Sequence, residues 1–322
     1  MILKGITQIS RILVGALFIF SGFVKLVDPI GSQYKFQEYF SEGVLNMEFL
    51  IPFALLFAIF LIVAEILLGV LILVGYQSKF TVWSLFTITL IFLFLTWYSA
   101  YYNKVTDCGC FGDAIKLTPW ETFYKNVILI GLILILLLKV QFIKPVFKGK
   151  TPKAIVFLSL AGFLFIVQHV LTHLPLIDFR AYAIGKNLQK GMAFPADGSI
   201  PPVHDFMLED VQQDLAPMLL EKEKVMLVIA YNIDKADANG FSAIKGVSEK
   251  AIAKGYTVYG VSASFSDDLL RAQEKYNLPF EFLFCDETTL KTMIRANPGV
   301  LILDKGTVTQ KKNWIDVEDL AL

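Results

Sequence analysis

Cysteine and histidine are scarce, three of each in 322 residues. That excludes a disulfide-stapled scaffold and leaves little material for a metal centre. Formal net charge is zero, so the chain lacks the basic footprint that nucleic-acid binding requires. It has no internal repeat and no low-complexity tract. No small-residue cleavage site follows the first apolar run before Lys25-Leu26-Val27-Asp28-Pro29, so that run reads as a retained membrane span. Apolar residues are what the chain has in excess. They make up 55% of it, against roughly 45–50% in soluble domains, and they are concentrated in the first half.

A helix crosses the bilayer core with roughly 20 mostly apolar residues. Five stretches qualify: Ile6 to Val27, Pro52 to Val74, Phe80 to Tyr98, Trp120 to Leu138 and Ala154 to Leu174. Lysine placement sets their orientation. Lys139, Lys144, Lys148, Lys150 and Lys153 lie between spans four and five with no acid among them, and Lys4 and Arg11 lie at the start. Both segments are expected on the cytoplasmic side. The acidic loop from Asp28 to Ile51 then faces outward, as do the segment after Tyr102 and everything beyond Leu174. The expected location is a bacterial inner membrane, with the lipid bilayer as one partner, the N-terminus cytoplasmic and the C-terminal domain periplasmic.

Two of the cysteines sit in one polar loop, Asp107-Cys108-Gly109-Cys110-Phe111-Gly112-Asp113. Thiols at that spacing outside the membrane suit a redox couple, since thiolates attack disulfides and need access. Two small residues packed in a tight turn, or half of a zinc site with His204 and Cys285, are the other readings. The zinc reading has too few ligands, and no metal is expected. Glu65 falls near the middle of span two. A carboxylate at that depth needs a partner or a polar cavity, and Arg11 and Lys25 on span one are the candidates. The choice between a proton-handling group and an interhelical ion pair stays open. His169 and His173, near the outer end of span five, read as interfacial polar residues.

Beyond Lys224 short apolar runs alternate with helical patterns. Strands are expected at 225–230, 257–263, 280–284, 300–303 and 307–314, and helices at 240–254, 266–277 and 288–295. Asp304-Lys305-Gly306 marks a hairpin turn. The order resembles the thioredoxin-like fold over Lys224 to Trp314. That resemblance places Pro298 at the position of the fold's cis-proline, and the redox motif at Tyr231 to Asp237, which holds no cysteine.

The membrane half also resembles a family. Arg11, Gly15, Phe18, Ser21-Gly22-Phe23, Lys25, Asp28-Pro29 and Lys35, followed by Glu65-Ile66-Leu67-Leu68-Gly69, are similar to the DoxX family of four-helix membrane proteins. Cys108-Gly109-Cys110-Phe111-Gly112 narrows the resemblance to its MauE-like branch. The resemblance implies thiol redox chemistry, with quinone as a conceivable cofactor. Fusion of such a core to a thioredoxin-like domain lacking its CxxC resembles an arrangement found in Bacteroidetes.

Four parts are therefore expected: a four-helix membrane domain over 1–140, a lysine-rich loop and fifth span over 141–175, a linker over 176–223 and a degenerate thioredoxin-like domain over 224–322. The fold class is an α-helical membrane bundle followed by an α/β extracytoplasmic domain. The expected activity is relay of electrons between an extracytoplasmic protein partner and a membrane acceptor through Cys108 and Cys110. The alternative is a non-catalytic subunit whose outer domain binds a partner in an envelope complex.

Overall fold

A computed structural model of the chain describes residues 2–105, 107–196 and 198–322. It forms two compact units, the first running to Leu171 and the second spanning Thr172–Leu322.

The first unit is built from α1 (Ile2–Leu26), α2 (Pro29–Phe40), α3 (Ala54–Val74), α4 (Ser78–Tyr102), α5 (Pro119–Leu138) and α6 (Thr151–Thr172). Among the described residues, α1, α3 with the turn preceding it, α4, α5 and α6 are the five helices long and apolar enough to cross a membrane. The helix ends follow from local chemistry. Gly75 takes a left-handed φ of 75° to close α3, a conformation glycine adopts without steric cost. Thr118 and Glu121 form a capping box that starts α5, with Pro119 in its first turn. The acidic segment expected as a plain loop contains α2, started by the Asp28 side chain accepting from Gly31 N.

Glycines let α1 and α3 approach closely. A Cβ at Gly69 would sit 2.9 Å from Gly15 O, and one at Gly22 would sit 3.0 Å from Ile66 N. Small residues on such a seam bring helix backbones together where no hydrophobic effect drives association. Val14, Ile72, Leu85 and Ile133 join α1, α3, α4 and α5 in one core. Helix α6 packs through Val167 near Leu26, Ile62 and Ile66, and leaves Phe157, Leu158 and Phe165 exposed.

The second unit contains α7 (Leu188–Met192), α8 (Ala216–Glu221), α9 (Ala238–Ala253), α10 (Ser266–Tyr276) and α11 (Glu287–Met293) around strands β1 (Val225–Ile229), β2 (Thr257–Ser262), β3 (Phe282–Phe284), β4 (Gly299–Asp304) and β5 (Thr307–Asn313). The sheet order is β3-β2-β1-β4-β5. Strands β1, β2 and β3 are parallel neighbours, while β4 is antiparallel to β1 and β5 to β4. Lys305 and Gly306 both have positive φ, which gives the β4–β5 hairpin the turn whose twist matches its strands. Alternate residues of β1 face opposite layers, as strand geometry requires. Met226 and Val228 pack with Phe241, Ile244 and Val247 of α9.

Val225, Leu227 and Ile229 face the other layer, where the segment over 176–223 differs from the expected linker. Tyr182, Leu188, Phe206, Leu208, Leu215 and Leu219 from that segment are buried in this second core. Its apolar residues come from successive turns and carry no helix or strand period, so pattern alone does not reveal that they pack.

Candidate functional site

The cysteine loop joins α4 to α5 and is shaped by its glycines. Gly109 and Gly112 have φ of 63° and 49°, a region that costs other residues roughly 1–2 kcal/mol. Asp107 Oδ1 accepts from Gly109 N at 2.9 Å, and Gly112 N donates to Gly109 O at 3.1 Å. A Cβ on Gly109 would meet Lys35 Cγ of α2 at 3.0 Å. The turn drives Phe111 inward against Phe20, with ring centroids 5.5 Å apart. Lys125 of α5 sets its ammonium 4.5 Å from the centre of the Phe111 ring, a favourable cation–π contact.

Cys108 and Cys110 are half-buried free thiols. Burial pushes the Cys108 thiol up to about 11; the neighbouring Cys110 and Asp107 charges act in the same direction. Hydrogen bonds from the Tyr39 and Thr122 side chains oppose the rise. Tyr39, from α2, is itself raised, first by burial and then by Cys108, and Ser99 Oγ donates to its hydroxyl at 3.4 Å. Helices α2 and α5 thus supply hydroxyls to one thiol, and Ser99 of α4 holds the first of them.

Cys110 connects inward. Ser21 Oγ of α1 donates to the Cys110 carbonyl at 2.8 Å and lies 3.2 Å from Glu65 Oε2. Lys25 Nζ donates to Glu65 Oε2 at 2.7 Å, to Glu65 Oε1 at 2.9 Å and to Ser21 Oγ at 3.0 Å. All three ammonium protons are used. Lys25 is 6% exposed and Glu65 1%, so the pair is out of water and depends on this geometry; removing one partner of such a pair typically costs about 3–5 kcal/mol.

Of the two cations considered for Glu65, only Lys25 reaches it. Arg11 donates from Nε to Ile72 O and from Nη2 to Leu73 O, both at 2.7 Å, and from Nη1 to Lys144 O at 3.3 Å. It caps the C-terminus of α3, where a cation satisfies orphan carbonyls and complements the helix dipole. Arg11 lies 14 residues before Lys25, about 21 Å along a helix, which explains the separation.

Ser21, Glu65, Cys110, Lys125 and Asn126 line a small cavity of about 10 Å³. Asn126 is 1% exposed. Its Nδ2 donates to Thr96 Oγ1 at 3.3 Å, while its Oδ1 has no hydrogen-bond partner among the described residues. A space of this size holds about one water and has no room for a quinone ring. An open recess of about 640 Å³ bordered by Gln77, Phe80 and Gln141 lies at the other end of α4 and α5, away from the thiols.

In the second unit the Asn297–Pro298 bond is cis, and Asn297 Nδ2 donates to Asn232 O at 2.8 Å, tying Pro298 to the 231–237 loop. Cys285 is buried in the core and pushed up to about 12, chiefly by burial. His173 Nδ1 pairs with Asp316 Oδ1 at 2.8 Å. Among the described residues no group of three or more His, Cys, Asp or Glu is arranged to hold a metal ion.

Sequence reasoning singled out Cys108, Cys110, Glu65 and Lys25, met Ser21 and Tyr39 only as parts of a family pattern without a role, and missed Thr122 and Asn126. Asn126 had a usable signal, an amide within an apolar span. The others are hydroxyls whose role comes only from packing.

Residues 3–139 match the family model described as Methylamine utilisation protein MauE. Together with the five span-length helices, this supports a MauE-like membrane protein. No curated protein and no solved structure matches the chain.

Proposed function

We propose that the chain is a membrane thiol–disulfide exchange protein working through Cys108 and Cys110. The observation that carries this reading is the pair itself. Two free thiols sit in one glycine-turned loop at the end of a helical bundle, with hydroxyls directed at one and a buried ion pair linked to the other. In the exchange, a disulfide on a partner protein accepts two electrons and two protons and becomes two thiols. Cys108 and Cys110 give them up and become a disulfide. No step uses a quinone, because the space beside Glu65 does not fit one.

The lysine distribution supports a cytoplasmic N-terminus, and the count of five spans supports a cysteine loop and a second unit facing the periplasm of a bacterial inner membrane. The βαβαβαββ order from Val225 and the position of Pro298 support a thioredoxin-like reading of the outer unit, and the spacing of Gly15, Gly22 and Gly69 supports a DoxX-like core. The outer unit has no cysteine in its 231–237 loop and buries Cys285, which favours a binding role for it: it presents the client to the membrane thiols.

Alkylation of intact cells with a mass tag, resolving Cys108 and Cys110 from Cys285, tests the proposal. The expected result is a mixed population of reduced and oxidised pair, with Cys108→Ser trapping a mixed disulfide with a partner. A pair that stays fully oxidised and resists mild reductant overturns it and leaves a structural crosslink and a non-catalytic binding domain.

A further inference from the structure

The thiol-exchange reading leaves one step without a group to perform it. A thiol must lose its proton before it attacks a disulfide, and the cysteine loop carries no histidine. The residues around the small cavity supply what is needed. Its wall includes Cys110 and Glu65 together. Asn126 adds a buried oxygen with no hydrogen-bond partner among the described residues, and buried acceptors of this kind are usually satisfied by ordered water. The cavity holds about one such molecule. Glu65 Oε1, which among the described residues accepts only from Lys25, retains acceptor capacity.

We infer that a single water held by Asn126 Oδ1 carries the proton of the Cys110 thiol to Glu65, making Glu65 the proton acceptor of the exchange and Asn126 its positioning residue. The inference rests on the thiol-exchange reading above. The step balances: the Cys110 S–H bond breaks, the water passes a proton on, and a Glu65 O–H bond forms. The Cys110 thiolate then attacks a partner disulfide and forms a mixed disulfide, and the departing partner thiolate takes up a proton. Cys108 resolves the mixed disulfide, its proton going to the second partner sulfur. Glu65 returns its proton to water as the site resets.

The charges around the site suit this transfer. Among the described residues at the cavity, Lys125 on α5 is a cation and Glu65 on α3 the anion, α4 contributes the uncharged Phe92, and Lys25 on α1 is the cation paired with Glu65. When the proton moves, the negative charge moves from Glu65 to the Cys110 sulfur, and the total charge of the buried cluster is unchanged. Lys25 stays coupled to both ends, since it donates to Ser21 and Ser21 donates to the Cys110 carbonyl.

The test uses full-length protein in lipid nanodiscs with oxidised glutathione as the probe disulfide. Mass-tag alkylation gives the rate of Cys108–Cys110 disulfide formation between pH 6 and 9, in light and heavy water, and the equilibrium position in glutathione buffers. Asn126→Leu and the paired change Lys25→Met with Glu65→Gln are each expected to slow oxidation tenfold or more and to change the solvent isotope effect. Neither Asn126→Leu nor Asn126→Asp should move the equilibrium position, and Asn126→Asp, which keeps the oxygen, should retain the rate within threefold. Wild-type rates in Asn126→Leu and in the paired variant would overturn the proton route while leaving thiol exchange standing. A wild-type pair that does not equilibrate with glutathione at all would overturn both.

Discussion

Each unit buries an ionic cluster, and the two are built differently. In the membrane unit one ammonium meets one carboxylate: Lys25 spans both oxygens of Glu65, and Ser21 extends the cluster to Cys110. In the second unit one carboxylate serves two cations. Asp178 Oδ1 accepts from Arg180 Nε at 2.7 Å, and its Oδ2 accepts from Lys311 Nζ at 2.6 Å and from Arg180 Nη2 at 3.0 Å. Burial and the Arg180 charge outweigh Asp178 at Lys311, which falls to about 8. The two cations together hold Asp178 at about 2, despite its own burial. Arg180 also donates to Thr292 O, so the cluster ties the segment after α6 to β5 and α11. The first cluster is neutral and borders a cavity and a thiol. The second is cation-rich and joins segments of chain. Buried ionic clusters thus sit beside a thiol in one unit and across chain segments in the other.

The most severe way to break this comparison is to remove a carboxylate. Asp178→Asn strands Arg180 and Lys311 and should cost the second unit about 3–5 kcal/mol, read as a lower denaturant midpoint of the full chain. Its thiol oxidation rate should match wild type. A slowing comparable to that of the Lys25→Met, Glu65→Gln pair would show that the clusters are not separate in function.

Acid sharpens the contrast. Asp178 has a folded-state pKa near 2, below its ordinary 3.8. Its contribution, about 2 kcal/mol, is complete above pH 4 and lost as pH falls through 2. Lys311 has the opposite profile. Its folded-state pKa near 8 lies below its ordinary 10.5, so the unfolded chain binds more protons between these values and stability rises with pH across that window. Unfolding midpoints against pH should show both limbs, and Asp178→Asn should erase the acid one.

Gly109→Ala is a milder intervention. Its φ of 63° and the Lys35 contact predict a loss of about 1–2 kcal/mol from the membrane unit, measured by thermal unfolding in detergent, with the second unit unaffected. The smallest expected effect is on reactivity. Iodoacetamide should label Cys108 at a rate rising about tenfold per pH unit up to about pH 11, in keeping with its raised pKa. Tyr39→Phe removes a hydrogen bond that favours the thiolate and should move that profile upward. Peptide mass spectrometry at each pH reads the result, and a downward shift would place the Tyr39 hydroxyl elsewhere.

The spans, the strand order and the candidate pairing of Lys25 with Glu65 were legible in the sequence because each rests on a local pattern or on a charge that hydrocarbon does not tolerate. What escaped depends on packing. Ser21 and Thr122 are common hydroxyls until α1 and α5 bring them to Cys110 and Cys108. The 176–223 segment carries its core residues without a period, so Tyr182 and Phe206 look like loop residues until the sheet is present to cover. Arg11 was placed at the correct end of its helix but offered as a partner for Glu65, since spacing along α1 separates it from Lys25 but does not say which carbonyls it finds.

The capping of α3 by Arg11 also bears on how the protein is made. Helix α1 enters the bilayer carrying a guanidinium whose acceptors, Ile72 O and Leu73 O, have not yet been synthesised. Until α3 arrives, that charge must reach back to the headgroups. The first helix is therefore an incomplete lodger in the lipid, and the two helices are best released from the insertion machinery as a pair, already locked along their glycine seam.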